Sequence, residues 1–230
     1  MKLSRKLKRI LPRVQKPARY VGGEWGSVVK DRDSVDLRFG MCFPDTYEVG
    51  MSHLGSRILY GLLNAQDGVW CERVFAPWID MEDEMRAAGI PLYGLESGDS
   101  IAELDILGFT LQYELSFTNI LNMLDLGGIP VYASERKGLK NLVICGGPCA
   151  YNPEPLAPFI DAFQIGDGEE IMIEFTDLYR QAKREGWSKD EFLRRACHIE
   201  GVYVPSLYDV SYNGDGTVKA VTPKDGAPAF

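Results

Sequence analysis

Residues 141–170 read NLVICGGPCAYNPEPLAPFIDAFQIGDGEE, and the parsing of this stretch decides the fold. Two short apolar runs, residues 142–145 and 162–165, stop abruptly at glycines, Gly146-Gly147 in one case and Gly166-Asp167-Gly168 in the other. A strand that ends in glycines and leads into a helix-forming segment is how an open parallel sheet offers backbone N–H groups to a ligand at its carboxyl edge. The stretch therefore marks a candidate binding edge. It carries no complete catalytic motif, and neither does the rest of the chain.

Upstream, residues 35–43 form a strand that runs into Pro44-Asp45. Residues 47–53 read as a loop around Gly50, and Leu54, Ile58, Leu59, Leu62 and Leu63 recur at helical spacing. A second strand is expected over residues 69–76, a helix over 81–88 closed by Gly89, and a short extra strand over 91–95. Residues 104–111 are almost continuously apolar, as in a strand buried on both faces. A helix then runs over 116–126, with Ser116 a candidate N-cap and Gly127-Gly128 a stop.

Downstream, a long helix is expected over 169–185, and Ser188-Lys189-Asp190-Glu191 has the form of a capping box. From Gly201 the pattern changes to strand runs over 202–207, 208–212 and 218–221, with Asn213-Gly214-Asp215-Gly216 as the turn of a hairpin. The tail to Phe230 reads as a linker.

Strands alternating with helices five times over give an α/β protein with a doubly wound parallel sheet, flavodoxin-like, in the order 2-1-3-4-5, plus a small C-terminal β-hairpin appendage. That order places the ligand crevice between the first and third strands. The organisation is a basic arm over residues 1–20, an α/β domain over 21–200, and a hairpin and linker over 201–230.

The 230 residues carry a net charge of −8, with 45% hydrophobic and 25% charged content, which is ordinary for a globular chain that buries a core. Charge is unevenly placed. Eight of the 25 basic residues and no acid fall in residues 1–20, so the remainder is strongly acidic and repels nucleic acid outside that arm. In the arm, Leu3, Leu7, Ile10, Leu11 and Val14 share one helical face, interrupted by Pro12. That face either docks on the protein's own domain or meets RNA or a partner protein. Five cysteines without a secretory leader suit a reducing cytoplasm, and no apolar run is long enough to span a membrane.

Neither glycine pair matches a dinucleotide fingerprint or a phosphate loop, and Asp167, Glu169 and Glu170 oppose phosphate. The glycines serve either as turns demanding positive φ or as points of close backbone approach. His53 sits after the first strand, as a hydrogen-bonded loop histidine or as a metal or cobalt ligand. Cys145 and Cys149 lack the further ligands that a zinc site needs. Asp45, Glu48, Asp99 and Glu114 have no partner histidine or nucleophile in a recognisable arrangement.

LDILGFTLQYE, NLVICGGPCAYNPEP and FIDAFQIGDGEE together resemble the amino-terminal cobalamin-binding-like domain that precedes the barrel of radical S-adenosylmethionine (SAM) enzymes. RYVGGEWGSVVKD and PDTYEVGMSHLGSRILYGLLN are similar to an uncharacterised branch in which that domain is fused to the barrel. The resemblance covers about residues 18–225. It implies a sheet edge that holds cobalamin, formed by Pro44, Gly50, Ser52, His53 and Gly55, by Thr110, Gln112, Tyr113 and Glu114, by Gly146, Gly147 and Pro148, and by Gly166, Gly168 and Glu169. Histidine-ligated cobalamin domains carry D-x-H-x-x-G; here the text is Gly50-Met51-Ser52-His53-Leu54-Gly55. The corrinoid is then held without a ligand from this loop, or the domain is a cobalamin-free scaffold.

The barrel's C-x-x-x-C-x-x-C motif does not occur in the 230 residues. S-adenosylmethionine and a [4Fe-4S] cluster are therefore expected only in a downstream domain, and the chain is expected to be inactive alone. The implied partner is the radical SAM barrel of the same full-length protein.

Overall fold

The computed structural model describes residues 4–224 and 226–229. Its sheet grows from β1 (Leu37–Phe43), which is buried at every position. A strand covered on both faces by helices has no polar phase, and β1 shows that continuous burial, as do β3 (Ile106–Thr110) and β4 (Leu142–Gly146) up to their partly buried last residues. With β2 (Val69–Phe75) and β5 (Ala162–Gln164) they form parallel ladders in the order β2-β1-β3-β4-β5. The doubly wound, flavodoxin-like order read from the sequence is the order observed.

The helices follow the handedness rule. The β1-to-β2 connection runs one way across the sheet and carries α2 (Tyr47–Ser52) and α3 (Leu54–Asn64). The β2-to-β3 and β3-to-β4 connections run the other way and carry α4 (Ile79–Ala88) and α5 (Phe117–Leu126) on the opposite face. There, Arg86 of α4 reaches Asp125 and Asn122 of α5. After β5, α6 (Gly168–Glu185) returns to the α3 face, and α7 (Lys189–Ala196) packs Phe192 against Phe175 and Tyr179 of α6. Ser188 caps α7 by accepting the Glu191 N–H, as the capping-box spacing predicts, and Gly89 ends α4 in the left-handed conformation.

Several local expectations are corrected. Residues 202–207 do not join the hairpin: β6 (Val202–Tyr203) pairs antiparallel with β5 and extends the main sheet, leaving β7 (Tyr208–Tyr212) and β8 (Val218–Pro223) as the separate two-stranded unit. Residues 91–95 form no strand; only Tyr93 bridges to Ser100. Instead, residues 94–97 seal the edge of β2, where Glu96 accepts the Arg73 backbone N–H at 2.7 Å and Leu95 donates to the Arg73 carbonyl. Of the expected loop over residues 47–53, Tyr47–Ser52 is helical and only His53 is not, and Gly50 is there because a Cβ would sit 2.2 Å from the Phe75 ring. Ser116 is not a side-chain cap, because its backbone is already helical and its hydroxyl donates to the Tyr113 carbonyl. In α3, Tyr60 and Leu63 are the buried positions, while Leu54 and Ile58 of the expected stripe face outward.

The arm folds back on the domain. Helix α1 (Arg5–Ile10) and the 3-10 turn over Leu11–Arg13 bury Leu7, Ile10, Leu11 and Val14. Arg13 pairs with Glu84, while Lys16 and Arg19 pair with Glu48. Lys2 and Leu3 of the arm lie outside the described residues, as does Phe230 of the tail. Among the described residues no helix is long and apolar enough to cross a membrane.

Candidate functional site

Strand register builds the site. Met41, Gly108, Ile144 and Ala162 lie in one row across β1, β3, β4 and β5, and two residues further along come Thr110, Gly146 and Gln164. Side chains alternate along a strand, so both rows face α3 and α6. Where the chain leaves β1 toward α3 and β3 toward α5, the connections part to opposite faces and open a crevice at the sheet's carboxyl edge. Its volume is about 300 Å³. Met41 and Ile144 line the sheet side, and Leu59 of α3 and Met172 of α6 line the helix side.

The glycines here do two different jobs. A Cβ on Gly108 would sit 2.5 Å from the Phe39 ring, so this glycine lets that ring lie across it on the face that looks toward α3 and α6. Gly147, at φ +102°, brings its backbone close to the Leu111 carbonyl and ties the β4 loop to the end of β3. Gly146 and Gly168, by contrast, have ordinary space around them, and their missing side chains keep the crevice open.

His53 is the N-cap of α3. Its Nδ1 accepts the Ser56 N–H at 3.1 Å and lies 2.9 Å from the Ser56 hydroxyl. An Nδ1 that accepts leaves the neutral ring's proton on Nε2. A histidine that ligates a metal through Nε2 needs the reverse: a free Nε2 lone pair and an Nδ1–H given to an acceptor. The ring is therefore held as a hydrogen-bonded cap, and ligation through Nε2 requires that cap to break.

Thr110 accepts from Gln112 Nε2 at 2.6 Å. Gln164 is 5% exposed, and its Nε2 is buried with no hydrogen-bond partner. Leaving such a donor unpaired costs about 1–3 kcal/mol, so it calls for a ligand or an ordered water. At the mouth, Glu169 and Glu170 sit in the first turn of α6 beyond Asp167, which makes no side-chain cap bond. That concentration of carboxylate disfavours an anion. Burial pushes the Cys145 thiol well above its ordinary range, and it also raises Cys149, further helped by Glu114. Neither is a thiolate at neutral pH. Among the described residues no group of three His, Cys, Asp or Glu side chains is arranged to hold a metal ion.

Of the residues expected from the sequence, His53, Gly55, Thr110, Gln112 and Gly146 line the crevice, together with Gly147, Pro148, Gly166, Gly168 and Glu169. Others lie outside it. The Pro44 carbonyl accepts from Asn119, Ser52 donates to the Val49 carbonyl, and Tyr113 donates to Asp45 at 2.8 Å. Glu114 is exposed beside Cys149, and Gly50 borders a second cavity. That cavity, about 690 Å³, lies between α3 and residues 25–28, over Phe43, Arg73 and Phe75. Sequence reasoning missed it, and it missed Gln164. The only signal for Gln164 was a polar residue inside an apolar run just before a glycine.

The crevice has room for one aromatic base with its sugar. Its volume is too small to enclose a corrin macrocycle, which would have to rest on the rim outside, beside Gly146, Gly166 and Gly168.

An uncharacterised protein of Methanocaldococcus jannaschii is 27% identical over 165 residues, covering 70% of this chain and 27% of that protein. The chain thus spans about a quarter of the length of this curated relative. No solved structure matches it. Residues 55–205 match the family described as the N-terminal part of radical SAM proteins, a span that takes in α3, the strands β2 to β6 and α6, and with them most of the crevice. The chain belongs to that family of radical SAM N-terminal domains.

Proposed function

We propose that this chain is the ligand-holding, non-catalytic N-terminal domain of a radical SAM enzyme, and that it presents a corrinoid at the carboxyl edge of its sheet to a radical SAM barrel in the same polypeptide. The carrying observation is the crevice at the sheet's switch point, open between α3 and α6 and faced by the unpartnered Gln164 amide. Gly146, Gly166 and Gly168 would let the backbone approach the corrinoid, while Thr110, Gln112 and Gln164 would hold its nucleotide portion. His53 would take no part as a ligand while it caps α3. Bound there, the corrinoid would supply methyl-carrying or redox chemistry; S-adenosylmethionine and the [4Fe-4S] cluster would belong to the barrel.

Titration of the purified chain with hydroxocobalamin tests this. The expected result is a saturable change in the visible spectrum with a raised unfolding midpoint, and an unchanged spectrum at high micromolar ligand would overturn the reading.

A second reading, a cobalamin-free scaffold that docks the barrel, has its own support in exposed apolar residues around the same edge, with Leu54 65%, Tyr151 74% and Leu115 85% exposed. Contact with RNA or a partner through the arm rests on Arg5, Lys8 and Arg9, which are exposed and have no ion-pair partner among the described residues. Salt-sensitive RNA binding that disappears on removal of residues 1–19 would support it, and binding that survives removal would eliminate the arm.

A further inference from the structure

The crevice already described carries a more specific message in Gln164. This side chain stands on β5 in the row Thr110-Gly146-Gln164, with a glycine between a hydroxyl and an amide, so the row forms a slot rather than a wall. The slot is closed by Leu59 and Met172 on the helix side and by Met41 and Ile144 on the sheet side. Its shape and apolar faces suit a flat ring. The Gln164 amide carries a donor and an acceptor side by side at one edge of that space; the residue is 5% exposed, and its Nε2 is buried without a hydrogen-bond partner.

We propose that the crevice recognises the amino-bearing edge of an adenine-type base through paired hydrogen bonds to the Gln164 amide. A glutamine amide is complementary to adenine, accepting from the N6 amino group and donating to the adjacent ring nitrogen. Uracil and guanine edges also pair with an amide, but they present carbonyl oxygens. The remaining polar groups here favour an amino group: Glu169 is an acceptor, and Gln112, with one amide hydrogen given to Thr110, still offers its carbonyl as an acceptor. An amino group has a second hydrogen for one of these; a carbonyl has none. The acids at the start of α6 disfavour a phosphate at that end, so any phosphate on the ligand lies away from α6.

This deepens the reading of the crevice as a ligand site, and an adenine edge has three sources: free adenosine, S-adenosylmethionine, or the lower base of an adenine-containing corrinoid. The test is calorimetric titration of the 230-residue chain, with unfolding midpoints recorded in parallel. Adenosine should bind saturably, and purine riboside, which lacks the amino group, at least about tenfold more weakly. Gln164→Leu should lose adenosine affinity by a similar factor while its unliganded midpoint stays level or rises, because an unpaired buried amide has been removed. Purine riboside binding as tightly as adenosine, or no saturable binding of any adenine ligand up to millimolar concentration, overturns the proposal without recourse to the variant.

A corrinoid with an adenine base should bind more tightly than one with a benzimidazole base, and that preference should vanish in Gln164→Leu. Adenosine or S-adenosylmethionine binding while both corrinoids are ignored upholds the adenine edge and removes the corrinoid reading. Equal binding of both corrinoids with adenosine ignored does the opposite.

Discussion

Asp161 shows how much one buried carboxylate organises. It is 3% exposed, receives Arg136 and the Val143 N–H on one oxygen, and pairs with Lys189 on the other. Arg136 also donates to the carbonyls of Pro130, Val131 and Phe159, and Lys189 to those of Ala133 and Arg136, so one acid gathers the loop before β4, the start of β5 and α7. Removing one partner of a buried pair strands the others without solvent. Asp161→Ala should therefore cost about 3–5 kcal/mol in urea unfolding. The exposed Arg180–Asp36 pair is the control: Asp36→Ala should cost about 1 kcal/mol or less. Similar losses for the two variants would show that the buried network is not the anchor its geometry describes.

The arm is the element whose fate the sequence left open, and its two halves explain why. Its apolar periodicity was legible, but periodicity does not name the surface a face packs on; α4 supplies that surface, through Lys6 Nζ to the Ala88 carbonyl and Gln15 N to Asp80. Other elements were read or misread for equally local reasons. The glycines closing β4 and preceding α6 announced the carboxyl edge, whereas Gln164 gained meaning only when register set it beside Gly146, a relation eighteen residues of sequence do not display. Residues 47–53 looked like a loop because Gly50 is a poor helix former, and tertiary packing on Phe75 overrides that preference. For the arm, Leu7→Ala should cost about 2 kcal/mol or more, since Leu7 is almost wholly buried. Its charged clamp should also respond to acid. The hydrogen bond from Arg19 pulls the Glu48 carboxyl down to about 2 from 4.5, so the folded state binds its proton less readily than the unfolded chain. The clamp is then complete above about pH 4.5 and lost as pH falls toward 2. Unfolding midpoints across that window should flatten in Glu48→Gln, and an unchanged acid limb would mean that Glu48 does not hold the arm.

At the scale of the molecule, the two faces of the sheet are covered by α3 with α6 and by α4 with α5, whereas its carboxyl edge is left with apolar side chains in water. Leu54 begins α3, Leu115 follows β3, and Tyr151 follows β4, so three separate connections deliver exposed apolar groups to the same end. Folding of the domain alone gives no reason for this, because each of these side chains could be polar at no cost to the core. A surface that receives another body does give one. Family membership supplies the candidate: these domains form the N-terminal part of longer proteins, and the curated relative extends far beyond the matched region. The consequence is measurable as a difference between two contexts. In the isolated chain, Leu115→Ser and Tyr151→Ser should shift unfolding by no more than about 0.5 kcal/mol, as surface substitutions do. Joined to the radical SAM barrel proposed as its partner, each should weaken the association by about 1–3 kcal/mol, the value of burying one large apolar side chain. Hydrogen exchange over residues 113–116 and 148–152 should slow on joining, and should slow less in the variants. Equal small effects in both contexts would place the barrel elsewhere and leave the apolar edge to the ligand alone.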